Sequence, residues 1–93
     1  MVTIVNGAAG TIQVKLGAGQ LYDVIGIAPG TSYAYTIKDG ADVNGNFKTL
    51  FGATPIPVVA GQNLLQDSRP VTFANGLAVT VSGTPGEFEI HWD

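Results

Sequence analysis

The sequence predicts an all-β domain, built as a small antiparallel β-sandwich or jelly-roll-like barrel. Three observations carry that expectation. The last quarter alternates: Val71 and Phe73, then Leu77, Val79 and Val81, then Phe88, Ile90 and Trp92 are interleaved with polar or small residues. A period of two sends successive side chains to opposite faces of a strand. Second, thirteen glycines and five prolines punctuate the chain. Gly costs about 1 kcal/mol and Pro about 3 kcal/mol inside a helix, so sustained helix is disfavoured. Third, Val, Ile, Thr, Tyr and Phe dominate the segments between these breaks, as strands require.

The elements follow in order. Val2–Val5 is a strand ended by Asn6-Gly7-Ala8-Ala9-Gly10, and residues 1–10 read as an N-terminal arm or an edge strand. Thr11–Leu16 alternates, with Ile12, Val14 and Leu16 on one face. Gly17-Ala18-Gly19 is a turn, not a nucleotide loop, because no third glycine and no helix follow. Leu21–Ala28 is nearly continuous apolar sequence, which predicts a strand covered on both faces. Asp23 interrupts it and should be paired with Lys38 or Arg69, or mark a bulge. Pro29-Gly30 is a turn, and Thr31–Lys38 places Tyr33, Tyr35 and Ile37 on one face. The two tyrosines read as core and rim packing with wet hydroxyls, or alternatively as an aromatic platform for a sugar or protein partner.

Asp39-Gly-Ala-Asp-Val-Asn-Gly-Asn46 is the most polar stretch and reads as an exposed hairpin loop. Its Asp42-x-Asn44-x-Asn46 spacing is that of a calcium loop's opening, but Phe47 stands where the glycine belongs and Ala53 where the bidentate glutamate belongs. Phe47–Phe51 is a short strand. Gly52–Pro57 is too rich in proline for a central strand and reads as an extended crossover, with Ile56, Val58 and Val59 against the core. Gln62–Gln66 is the one candidate helical turn. The three terminal strands read as one packing unit whose Phe73, Leu77, Val79, Val81, Phe88, Ile90 and Trp92 form the core.

The totals bound the function. Residues 1–93 make a single domain with a thin stability margin. Only 12% of residues are charged and 45% are hydrophobic, with a mean hydropathy of +0.27. Ordinary domains carry about 25% charged residues. The deficit predicts that part of the surface is buried in an oligomer or larger assembly. Lys15, Lys38, Lys48 and Arg69 are the only basic residues and form no run, so neither nucleic acid nor an anionic membrane is an expected partner. Met1–Asn6 lacks the features of a signal peptide, and no stretch nears the ~20 apolar residues of a membrane helix.

No catalytic or metal constellation emerges. There are no cysteines, and His91 is the one histidine, so thiolate and paired-imidazole metal sites are not expected. His91, Glu87 and Glu89 share the polar face of the last strand. No nucleophile elbow stands near Ser32, Ser68 or Ser82. The expectation is a protein without enzymatic role, cofactor or metal.

The run Pro70-Val-Thr-Phe-Ala-Asn-Gly-Leu-Ala-Val-Thr-Val-Ser-Gly-Thr-Pro-Gly-Glu-Phe-Glu-Ile-His-Trp92 resembles the C-terminal strands of small all-β virion proteins of tailed bacteriophages, and Tyr35-Thr-Ile-Lys-Asp-Gly-Ala-Asp-Val-Asn-Gly45 the hairpin that precedes them. Such proteins occur among head decoration (cement) and head-fibre components. The resemblance implies a protein made in the host cytoplasm and carried on the capsid exterior, clamping neighbouring major capsid protein subunits. A homo-oligomer, with a trimer favoured, would suit the local threefold positions of a shell. The alternatives are a carbohydrate- or receptor-binding β module and a tail or collar component. Met1, Val2, Thr3, Ile4 and Val5 are the expected contact arm, and Asp39, Asp42, Asn44 and Asn46 the expected contact loop.

Overall fold

The computed structural model describes residues 1–41, 47–65 and 69–93, and is all-β. Its strands are β1 (Val2–Val5), β2 (Gly10–Leu16), β3 (Gly19–Ala28), β4 (Thr31–Asp39), β5 (Lys48–Pro57), β6 (Val71–Phe73), β7 (Gly76–Thr84) and β8 (Glu87–Trp92). They form two four-stranded antiparallel sheets, ordered β1-β8-β3-β6 and β2-β7-β4-β5.

The pairings have a simple logic. β1 with β8, β2 with β7, β3 with β6 and β4 with β5 are the rungs of one long antiparallel hairpin. Rolling that hairpin up adds the contacts β3 with β8 and β4 with β7. The result is an eight-stranded jelly roll, a double-sheet arrangement. Rolling also sends consecutive strands, the β4–β5 hairpin excepted, to opposite sheets. The terminal strands β6, β7 and β8 are therefore not one three-stranded sheet. β6 and β8 lie in one layer, β7 in the other, and no two of them pair. The breaks at Asn75-Gly76 and Pro85-Gly86 are corners between layers, not hairpins.

The core is the alternation made solid. Leu21, Phe73, Phe88 and Ile90 from one sheet and Tyr33, Ile37, Leu77, Val79 and Val81 from the other are almost completely buried. Phe88 stacks on Tyr35 at 4.8 Å between ring centroids and tilts against Tyr33 at 5.8 Å. Trp92 packs on the rim, half-buried, with its indole Nε1 donating to Thr3 Oγ1 at 2.8 Å. The Tyr33 hydroxyl is not wet: it donates to the Gly7 carbonyl at 2.6 Å.

Other expectations are corrected. β3 is not covered on both faces: Tyr22 and Ile27 are exposed. Register shifts at Leu21/Asp23 and Gly26/Ala28 break its pleat, so apolar residues fall on both sides. Asp23 marks the first bulge, and its carboxylate accepts the N–H of Val24 at 2.8 Å and of Leu65 at 2.9 Å instead of meeting Lys38 or Arg69. The proline-rich stretch continues β5 to Pro57, because β5 is an edge and its missing N–H groups are not needed. Residues Gly52–Pro55 loop out between the pairs Ile37–Phe51 and Tyr35–Ile56. Val58 enters the core, whereas Val59 stays exposed.

Among the described residues Gln62–Leu65 are not helical. Gly26 N–H donates to Gln62 O and Leu64 N–H to Val24 O, so this segment extends the sheet where the three-residue β6 ends. At the opposite end from Met1, the corners Pro29-Gly30 and Pro85-Gly86 touch. A Cβ on Gly86 would lie 2.1 Å from the Ala28 carbonyl, and one on Gly30 would lie 2.4 Å from the Thr84 carbonyl. Only glycine permits that approach.

Phe88 joins both sheets through the two tyrosines. Phe88→Ala is expected to cost about 4 kcal/mol, a large part of the stability of a domain this size. Urea unfolding monitored by tyrosine and tryptophan fluorescence measures it. A loss below about 1 kcal/mol would contradict the packing described.

Candidate partner-binding surface

Among the described residues β1 pairs with β8 alone, with Val2 opposite His91, Thr3 opposite Ile90, Ile4 opposite Glu89 and Val5 opposite Phe88. It is an edge strand of its own sheet, not a free arm. Trp92 N–H donates to Met1 O at 3.0 Å. Antiparallel ladders alternate, so Met1, Thr3 and Val5 turn their peptide groups to β8. The N–H and C=O groups of Val2 and Ile4 then point to the open edge. Side chains alternate as well. Val5 is buried and Thr3 faces inward to Trp92, whereas Met1, Val2 and Ile4 are 75%, 55% and 54% exposed.

The four sheet edges differ in protection. Proteins blunt edges with charge, proline, bulges or shortness. β5 carries Lys48, Pro55 and Pro57 and a wide bulge. β2 carries Lys15 and a bulge between Gln13 and Lys15. β6 has three residues and follows Arg69-Pro70. β1 has no charge, no proline and no register shift. Its shortness is its one defence.

The outer face beside it is mixed. Ile4 and Ile25 flank Glu89, while Val2 and Asp23 flank His91. His91 Nε2 lies 3.0 Å from Glu89 Oε2, a surface pair that contributes little. Asn6 Nδ2 lies 3.4 Å from Glu87 Oε1. Glu87, Glu89 and His91 thus occupy the polar side of β8, as their spacing predicts.

The second predicted contact group separates. Asp39 is not on an exposed loop; it is buried at the end of β4. Its Oδ2 accepts the N–H of Ala74 at 2.8 Å, and its Oδ1 accepts those of Asn75 at 2.9 Å and Gly76 at 3.3 Å. The carboxylate therefore caps the corner between β6 and β7. The signal was present in the alternation: Asp39 continues the inward series Tyr33, Tyr35, Ile37 by one step. Asp42, Asn44 and Asn46 lie outside the described residues.

The tyrosines offer no platform, because both lie inside. Burial first, and the charge of Asp23 second, push the Tyr35 hydroxyl up to about 12. Burial also raises that of Tyr33. Beside Tyr35 a cleft of about 90 Å³ is lined by Gly26, Ile56, Pro57, Val58, Gln62 and Leu64. Small-molecule pockets run to about 300 Å³ and above, so it admits no more than a side chain or a few waters. Among the described residues no group of three or more His, Asp or Glu side chains could hold a metal ion.

No family model matches the chain, and neither the curated proteins nor the solved structures contain a match.

The Asp39 clamp predicts a pH signature. Burial alone would raise its pKa, but the three N–H donors and the charge of Lys48 outweigh that and lower it. The clamp is complete above the unfolded value of about 3.9 and is lost as pH falls through the lower folded value. Asp39→Ala is expected to cost about 3 kcal/mol at neutral pH, since three donors lose their acceptor. Chemical denaturation across acid pH should show the gap to the parent protein closing. A gap independent of pH would show that the charge is not what holds the corner.

Proposed function

We propose that this chain is a structural virion protein, a capsid decoration (cement) protein that binds between major capsid protein subunits and stabilises the shell. The observation that carries the reading is the open β1 edge. It offers the unpaired peptide groups of Val2 and Ile4 beside their exposed side chains. An extended segment of a neighbour can add there as a further strand, with backbone bonds supplying affinity and the apolar side chains supplying selectivity. Binding that only the assembled shell offers would stabilise that shell by linkage.

Three further features support the reading. The low charge suits a surface that spends its life covered. The net charge of −3 suits a place outside the shell, away from packaged nucleic acid. The jelly roll recurs in viral capsid proteins and also in lectins, an analogy of fold alone. The carbohydrate-binding alternative places its ligand on the Tyr33/Tyr35 face or on the Asp39–Asn46 loop; both tyrosines and Asp39 are buried, and residues 42–46 lie outside the described residues.

The test is sedimentation with mature shells lacking the protein. Purified chain should pellet with them and raise their melting temperature. Ile4→Lys, at an exposed position, should leave folding within about 0.5 kcal/mol of the parent and weaken shell binding about tenfold or more. Pelleting with purified tails and not with shells would place the protein in the tail or collar. No binding to either contradicts a virion role.

A further inference from the structure

The sequence contains Asn6-Gly7, Asn44-Gly45 and Asn75-Gly76. Asn-Gly is the dipeptide most open to spontaneous deamidation. The glycine nitrogen loses its proton and attacks the asparagine Cγ. A C–N bond forms, ammonia leaves, and the resulting five-membered succinimide is opened by water to aspartate or isoaspartate. The reaction needs a free glycine N–H, a backbone that can turn toward its own side chain, and room for the ring. Asn44-Gly45 lies outside the described residues, but the other two sites differ sharply.

At Asn75-Gly76 the asparagine is exposed, but the glycine nitrogen and the backbone on both sides of it are held. The Gly76 N–H points at Asp39 Oδ1 at 3.3 Å, and a carboxylate there opposes loss of the proton that would make the nitrogen a nucleophile. The same oxygen holds Asn75 N–H at 2.9 Å. Asn75 O accepts from Gly17 N–H and Gly76 O from Gly40 N–H, so both peptide units are fixed. Gly76 is buried, and its Cβ position would stand 2.5 Å from the Gly40 carbonyl.

At Asn6-Gly7 each requirement is met. Both residues are exposed and lie outside the strands. Gly7 N–H has no acceptor among the described residues. No heavy atom approaches within 4 Å of the Gly7 Cβ position, so space is open. Two tethers touch the pair: the Tyr33 hydroxyl takes the Gly7 carbonyl and Asn6 Nδ2 makes a long 3.4 Å contact with Glu87 Oε1, and neither holds the Gly7 nitrogen.

We propose that Asn6 is a site of spontaneous deamidation, and that the Asp39 clamp protects Asn75 from the same reaction. The product has a local consequence. Asn6 Nδ2 now faces Glu87 Oε1. Conversion replaces that donor with a second carboxylate at the seam between β1 and β8, next to buried Val5. Negative charge thus appears beside the edge strand with time and without an enzyme. The proposal is independent of the virion reading.

The test follows both sites in one sample. Folded protein is held in mildly alkaline buffer, and peptides spanning each site are quantified over time by mass and by isoaspartate labelling. Asn6 is expected to convert at least about tenfold faster than Asn75, the factor that one hydrogen bond to a carboxylate supports. In denaturing urea the two rates should converge. Equal rates in the folded protein would overturn the proposal. A ratio that survives in urea would overturn it too, because the difference would then be local sequence and not the fold.

Discussion

One carboxylate carries the passage between the two sheets. Asp39 ends β4 and accepts three successive N–H groups from the corner at which the chain passes from β6 in the other layer to β7 beside β4. A corner of this kind has no ladder partner for its peptide groups, and burying them unpaired would cost about 1–3 kcal/mol each. Nearby, Gln13 performs the complementary task. Its Nε2 lies within 2.8–3.1 Å of the carbonyls of Lys15, Gly40 and Leu77. One carboxylate accepts from three donors and one amide shares its two N–H groups among three carbonyls where the rolled hairpin changes layer. Gln13 Oε1 is buried without a partner among the described residues. The rest of the jelly roll is conventional ladder and apolar core around that end.

This arrangement separates stability from contact. The polar groups that look most like a binding site in the sequence are partly spent inside, as Asp39 shows. The side chains that β1 itself leaves outside, Val2 and Ile4, are apolar. In a domain with 12% charged residues, an unprotected edge is a hazard unless something covers it. The other three edges carry charge, proline or a bulge, whereas β1 has shortness alone, which makes it informative. It argues for a cognate strand at β1, and an assembly held by many such contacts gains strength from multiplicity even when each one is small.

Much of the fold was legible because alternation is a local property. The buried series Tyr33, Tyr35, Ile37 and Leu77, Val79, Val81 could be read directly, as could the breaks that end the strands. Sheet membership was not legible. Asn75-Gly76 and Pro85-Gly86 turn the chain equally well within a sheet or between sheets, and only the global roll decides. Pro55 and Pro57 misled because proline excludes a central strand but not an edge. Gln62–Leu65 misled because their partners on β3 are distant in sequence. Asp39 lies one residue beyond the strand that the sequence predicts and so reads there as loop. The apolar character of β1 is readable in the sequence, but the openness of its edge depends on β8 lying on one side and, among the described residues, no strand on the other.

The central claim is that β1 is an open edge which a partner strand completes. Residue-resolved amide hydrogen exchange tests it most directly, first on the free protein and then on protein bound to shells. In the free protein, Val2 and Ile4 amides should exchange rapidly while Thr3 and Val5 are protected by β8. On the shell, Val2 and Ile4 should become protected. Protection of Val2 and Ile4 in the free protein, or its continued absence in the bound one, would contradict the account.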